Sequence, residues 1–180
     1  MSGLSVYHEQ NANQPLIQTK DGAEIAARLK EVGVRFERWN AEHPIRPGQP
    51  HEEIVAAYRT SVEALKASEG FQAVDVVSLH PEHPDRATFR QKFLSEHQHS
   101  EDEVRFFVDG SGQFYLHIGQ HVYIVLCEQG DLISVPAKTR HWFDMGPAPR
   151  FTAIRLFTSP EGWIAQFTGD TIADRFPKYE

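Results

Sequence analysis

From residue 103 to residue 157 the chain is a string of short apolar-rich runs divided by glycine: Glu103 to Val108, Gln113 to Ile118, Val122 to Leu126, Asp131 to Val135 and Phe151 to Phe157. The breaks are Asp109-Gly110-Ser111-Gly112, Gly119-Gln120, Gln129-Gly130 and Gly146-Pro147. Closely spaced short strands with glycine turns predict an antiparallel sandwich or barrel. The residues before 96 read differently. Asp21 is placed to cap a helix through Ile25, Leu29 and Val32, with Gly33 ending it. Val34 to Trp39 alternates apolar and charged residues as a half-exposed strand does. A proline-rich loop, Pro44 to Pro50, leads to a helix from about His51 to Ser68, with Ile54, Tyr58, Val62 and Leu65 at helical spacing. Ala73 to Leu79 reads as a strand, and Pro84 to Leu94 as a further helix with Phe89 and Phe93 on one side. The expectation is one mainly-β domain with helices over residues 1–180. In it, residues 1–95 pack mixed elements on a barrel core formed by 96–168.

Composition removes several functions. The longest unbroken apolar stretch, Val122 to Leu126, is far short of the roughly 18 residues that span a bilayer, and no basic-then-apolar leader opens the chain. A cytoplasmic protein with no membrane partner is expected. Asp plus Glu is 25 against 18 for Lys plus Arg, a net charge of -7, without the basic stripe that nucleic-acid binding needs. Cys127 is the one cysteine, which excludes an internal disulfide and argues against a thiolate metal site.

The chemistry concentrates at His97-Gln98-His99-Ser100-Glu101-Asp102-Glu103, with His141 far downstream. Two imidazoles, a carboxylate and a third imidazole form a mixed nitrogen and oxygen set suited to iron, nickel, manganese or zinc. His97 and His99 are two residues apart, so an extended backbone puts both rings on one face. The strand that follows then places Glu103, Arg105 and Phe107 together, so a metal-facing Glu103 brings Arg105 into the same cavity. His117 and His121, near a strand turn, read as ordinary surface or core residues.

His97-x-His99-x-x-x-Glu103-x6-Gly110, followed by Gly130-x5-Pro136-x4-His141, resembles the two-part signature of the cupin superfamily. The resemblance implies a double-stranded β-helix (jelly-roll) barrel enclosing a divalent metal held by three His and one Glu. Lys138 stands where many cupins have glycine, and Met145 where many have asparagine. Those departures fit one family. Gly33 to Trp39, Glu96 to Val108, Ser134 to Ala137, His141 to Gly146, Phe151 to Arg155 and Pro160 to Ala165 are similar to the acireductone dioxygenases, most of all the bacterial members.

That resemblance implies a metal-dependent dioxygenase of methionine salvage, acting on 1,2-dihydroxy-3-keto-5-methylthiopentene and dioxygen. With Fe2+ the family forms 4-methylthio-2-oxobutanoate and formate; with Ni2+ it forms 3-methylthiopropanoate, formate and carbon monoxide. By analogy the ligands are His97, His99, Glu103 and His141, with one metal per chain, and the chain is expected to act as a monomer. A six-coordinate ion with four protein ligands keeps two positions for an enediolate. Arg105 is expected to bind a substrate oxygen, the alternative being a structural ion pair. Arg155, a lone charge in an apolar strand, either reaches the same cavity or pairs with an acid such as Asp102, and the family pattern leans to substrate. Phe93, Phe143 and Trp163 are candidates to line a pocket for the methylthio tail, or are plain core. Asp102 either solvates a turn or orients a ligand histidine or Arg105. The competing functions on such a barrel are another metal-dependent enzyme, an isomerase or enol-cleaving dioxygenase, and a non-enzymatic binding module.

Overall fold

The Asp21 side chain accepts the Glu24 amide at 2.9 Å, and helix α1 (Gly22–Glu31) follows with Ile25 and Leu29 buried. A cap of this kind is worth about 1 kcal/mol. In the computed structural model, which describes residues 1–180, all strand pairing is antiparallel. One sheet carries, in spatial order, β2 (Ile17–Thr19), β1 (Gly3–His8), β7 (His121–Glu128), β6 (Glu103–Ile118), β9 (Arg140–Asp144), β5 (His97–Gln98) and β11 (Gln166–Phe167). The other carries β3 (Arg35–Arg38), β8 (Asp131–Val135), β6 again, β10 (Phe151–Phe157) and β4 (Ala73–Leu79).

Strand β6 belongs to both sheets, which corrects the expectation of two strands broken at Asp109 to Gly112. Its first half pairs with β8 and β10, its second half with β7 and β9. The glycines bend the strand instead of ending it. Gly110 has φ +66°, and a Cβ there would lie 1.8 Å from the Arg150 carbonyl oxygen. Nearby, the register opposite Ala153 and Thr152 slips by one residue between Phe107 and Asp109. A one-residue slip reverses which side chains face inward. Phe107 therefore points into the same core as Phe114 and Leu116.

Three cores follow from the two sheets. Between them lie Phe107, Phe114, Val125, Ile133, Phe143 and Phe151, sealed by Ile25 and Leu29 of α1. The outer face of the β10 sheet (Val76, Val104, Phe106, Ile154) is covered by helices α2 (His51–Ala57) and α3 (Arg59–Glu69). These two helices replace the single one expected over 51–68. The chain breaks at Tyr58 (φ -106°, ψ 22°), whose hydroxyl accepts the His43 amide and donates to the His43 carbonyl at 3.1 Å each. Helical periodicity survives the break because Ile54, Tyr58, Val62 and Leu65 still pack on one core. On the other sheet, Tyr115 and Trp142 stack 5.0 Å apart under the C-terminal residues Ile172, Ala173 and Phe176. Helix α4 (Arg86–Leu94) lies against β9 and runs directly into β5. No helix is long and apolar enough to cross a membrane.

Candidate metal centre

Three strands that meet at one mouth of the barrel bring the candidate ligands together. His97 on β5 sits opposite His141 on β9, and Glu103 opens β6. His99 follows β5, and its carbonyl accepts the Lys138 amide at 2.8 Å, tying the two halves of the signature together. Lys138 is the one non-glycine residue with positive φ, at 62°. Its left-handed backbone conformation gives a physical reason why glycine suits this position of the two-part signature.

The imidazole ligand atoms of His97, His99 and His141 all lie within 4.8 Å of one another. Each ring is fixed from behind: Nδ1 donates to the carbonyl of Ser95 (2.8 Å), Ile164 (3.0 Å) and Thr139 (2.7 Å), respectively. A proton held at Nδ1 leaves the Nε2 lone pair free, which is the arrangement of a metal-binding histidine. Glu103 approaches from one side, with Oε2 3.1 Å from His99 Nε2 and 3.7 Å from His141 Nε2. Both Glu103 Oε2 and His141 Nε2 are buried and make no hydrogen bond. Orphaned buried acceptors are costly, and here they face one another. A divalent cation fits this donor set, satisfying them with nitrogen and oxygen ligands alone.

The electrostatics agree. Burial pushes the His141 imidazole down to about 3, so the ring is neutral at physiological pH without a proton to expel. Burial likewise lowers His97. Burial drives the Glu103 carboxyl up, but Arg105, His99 and His141 together outweigh it and hold it well below its usual range. The Arg105 Nε donates to Glu103 Oε1 at 2.5 Å, between side chains only 2% and 1% exposed.

Arg105 reaches further than this pair. Its guanidinium lies 4.9 Å from the ring centres of Phe114 and Phe143 and 5.7 Å from that of Phe93, and its Nη1 is buried without a partner. The period-two argument thus places Arg105 beside Glu103, and the structure brings Phe93 and Phe143 to it. Phe114 was not among the sequence candidates, because the slip in β6 that turns it inward leaves no signal in the alternation. Gly112 is part of the same cage: a Cβ there would lie 2.2 Å from Phe143 Cζ.

Other candidates are placed differently. Arg155 stands directly opposite Arg105 across β10 and β6, but its partner is Asp75 of β4, bonded at 2.9 and 2.6 Å. The suggested pairing with Asp102 is corrected: Asp75 faces Arg155 in register on the neighbouring strand. Asp102 touches neither a ligand histidine nor Arg105. It is exposed, one residue before Glu103, and its Oδ1 accepts the Ala137 amide at 2.7 Å, pinning the turn that leads to His141. Glu101 anchors the segment after β10, accepting from Thr158 Oγ1 and from the Ser159 amide. Trp163 is 54% exposed on that segment and is not one of the rings around Arg105. A cluster unnoticed in the sequence lies next door: His117 is bonded by Glu96 Oε2 at 2.7 Å and Glu9 Oε2 at 2.9 Å. Only Glu96, adjacent to His97, hinted at it.

Comparison with known proteins points to one family. Residues 4–165 match the model of the ARD/ARD' family. The chain is 61% identical over 180 residues to an acireductone dioxygenase of Pseudomonas paraeruginosa (strain DSM 24068 / PA7), covering 100% of this chain and 99% of that one. It is 58% identical over 180 residues to that of Hahella chejuensis (strain KCTC 2396), covering 100% and 97%. Among solved structures it is similar to the acireductone dioxygenase from Bacillus anthracis with a cadmium ion in its active centre. That match has a TM-score of 0.80 and 31% identity, and covers 93% of this chain and 98% of the other. The barrel is thus the cupin barrel expected from the two-part signature, and the chain belongs to the ARD/ARD' family.

Proposed function

We propose that this chain is an acireductone dioxygenase of methionine salvage, working in the cytoplasm as a monomer with one Fe2+ or Ni2+ per chain. His97, His99, Glu103 and His141 hold the ion. The observation that carries the assignment is the set of facing, unpartnered ligand atoms in a chain of this family, with Nδ1 of each imidazole already engaged. When bound, the divalent ion supplies Lewis-acid chemistry and a template for an enediolate.

The residues around it do the rest. Arg105 is a buried cation with one nitrogen on Glu103 and Nη1 unclaimed, so it offers a charged donor to a substrate oxygen. In a site this buried such a donor acts more strongly on growing negative charge than it would in water. Phe93, Phe114 and Phe143 keep water from that donor and give the apolar surface that a methylthio tail needs. Arg155, paired bidentately with Asp75, takes the structural role on the strand beside Arg105. Trp163, 54% exposed beside the Ile164 whose carbonyl holds His99, lies outside that set of rings.

The test is reconstitution of metal-free protein with iron and, separately, nickel, followed by anaerobic mixing with acireductone and admission of oxygen. The proposal expects oxygen uptake with each metal, 4-methylthio-2-oxobutanoate and formate with iron, and carbon monoxide with nickel alone. No uptake with either metal refutes it.

A further inference from the structure

Two of the three rings around Arg105 sit on barrel strands: Phe114 on β6 is fully buried and Phe143 on β9 is 1% exposed. The third, Phe93, sits on α4, which has no buried residue and no side-chain cap. Only Arg90, Phe93 and Leu94 of that helix are even half-buried. Such a helix is weakly held by its own packing. What fastens it is Arg90. Its Nε and Nη2 donate to Asp144 Oδ1 and Oδ2 at 2.7 and 3.1 Å, and Nη2 also donates to the Tyr179 carbonyl at 3.1 Å. Asp144 is fully buried at the end of β9, where it also accepts the amides of Gly146 (2.9 Å) and Tyr179 (3.0 Å). The anchor is therefore rigid. Arg90 and Phe93 are three residues apart and share a helix face, and Asp144 and Phe143 are neighbours on β9. The ion pair and the contact between the two rings, 6.2 Å between centres, thus lie side by side.

We infer that Arg90 is a positioning residue: its bidentate bond to Asp144 latches α4 to β9 and so holds the Phe93 ring against the Arg105 guanidinium. The inference rests on the reading of Arg105 as the substrate's partner. With the latch open, α4 lifts, water reaches Arg105 Nη1, and the grip on substrate weakens, while His97, just beyond the helix, stays in place through the pairing of β5 with β9 and β11.

The experiment uses the nickel-loaded enzyme and compares wild type with Arg90→Gln, Arg90→Lys, Phe93→Ala and the Arg90→Gln/Phe93→Ala double variant. Amide exchange over residues 86–94 and steady-state kinetics with acireductone are both read. Loss of a bidentate charged bond predicts about tenfold faster exchange in 86–94 and about tenfold higher KM in Arg90→Gln, with kcat within about threefold and metal content unchanged. Arg90→Lys, which keeps one bond, lies between, and serves alone if Arg90→Gln does not fold. Because Arg90 acts through Phe93, Arg90→Gln should add little to the KM of Phe93→Ala. Unchanged exchange in 86–94 overturns the latch. A full KM effect of Arg90→Gln in the Phe93→Ala background, or loss of metal, overturns the positioning role. A wild-type enzyme that consumes no oxygen with acireductone refutes the dioxygenase reading instead, and the exchange data still decide the latch.

Discussion

Replacing Arg105 by methionine should convert metal binding from a reaction blind to pH at Glu103 into one that expels a proton there. Arg105 Nε and Glu103 Oε1 are 2.5 Å apart, and the two side chains are 2% and 1% exposed. In the wild type, burial raises the Glu103 carboxyl, but Arg105 is the largest opposing influence and, with the two histidines, keeps it ionised. Without Arg105, the largest influence opposing burial is gone, and the carboxyl shifts upward. Breaking a buried pair costs about 3–5 kcal/mol, and protonation of Glu103 is how the variant relieves part of it. Metal must then displace that proton, so affinity in Arg105→Met should fall more steeply on acidification than in the wild type, by up to about tenfold per pH unit. Calorimetric titration with Ni2+ at pH 6, 7 and 8, in buffers of different ionisation enthalpy, counts the protons directly. The variant should release about one more proton per metal than the wild type at pH 6 to 7. Loss of one charged donor should also cut turnover by about 10²–10³-fold when measured at saturating metal. Equal proton release by both proteins, or full activity of the variant, would refute the reasoning.

Gly112→Ala should force Phe143 from its place, since the new Cβ would meet Cζ at 2.2 Å, at a cost of about 1–3 kcal/mol in urea unfolding and a weaker KM. Gly110→Ala should be far worse, because the obstacle at 1.8 Å is backbone and φ is +66°; soluble protein of wild-type stability would count against the bent β6. Metal-free protein should lose stability on acidification through His141. Its folded value of about 3 lies below the ordinary 6.5, so its contribution is full above pH 6.5 and is lost as pH falls towards 3. At pH 5 the loss is about 2 kcal/mol, and His141→Gln should remove that much of the pH dependence measured by urea unfolding between pH 7 and 5.

The parts of the site that the sequence made legible are those fixed by short-range geometry. The two-residue alternation placed Glu103 and Arg105 together, and the signature spacing brought His141 to His97. Single strands with clean boundaries, such as Ala73–Leu79 and Phe151–Phe157, were also plain, because each is bounded by turn residues. What escaped depends on contacts between distant segments. Strand β9 was not expected, since Arg140–Asp144 has no alternation of its own: Trp142 is buried on the outer core while His141 and Phe143 face inward. The partner of Arg155 is 80 residues away on β4, and no local pattern singles out Asp75 over Asp102. Phe114 joined the site through one slipped residue in β6, and α4 through an ion pair spanning 54 residues.

The most direct test of the metal centre is X-ray absorption at the nickel edge of the loaded enzyme, with the metal-to-chain ratio measured on the same sample. The account predicts one nickel per chain, a first shell of nitrogen and oxygen only, and multiple scattering from three imidazoles. A sulfur neighbour, which would implicate Cys127 or Met145, or fewer than three imidazoles would contradict the assignment of His97, His99, Glu103 and His141.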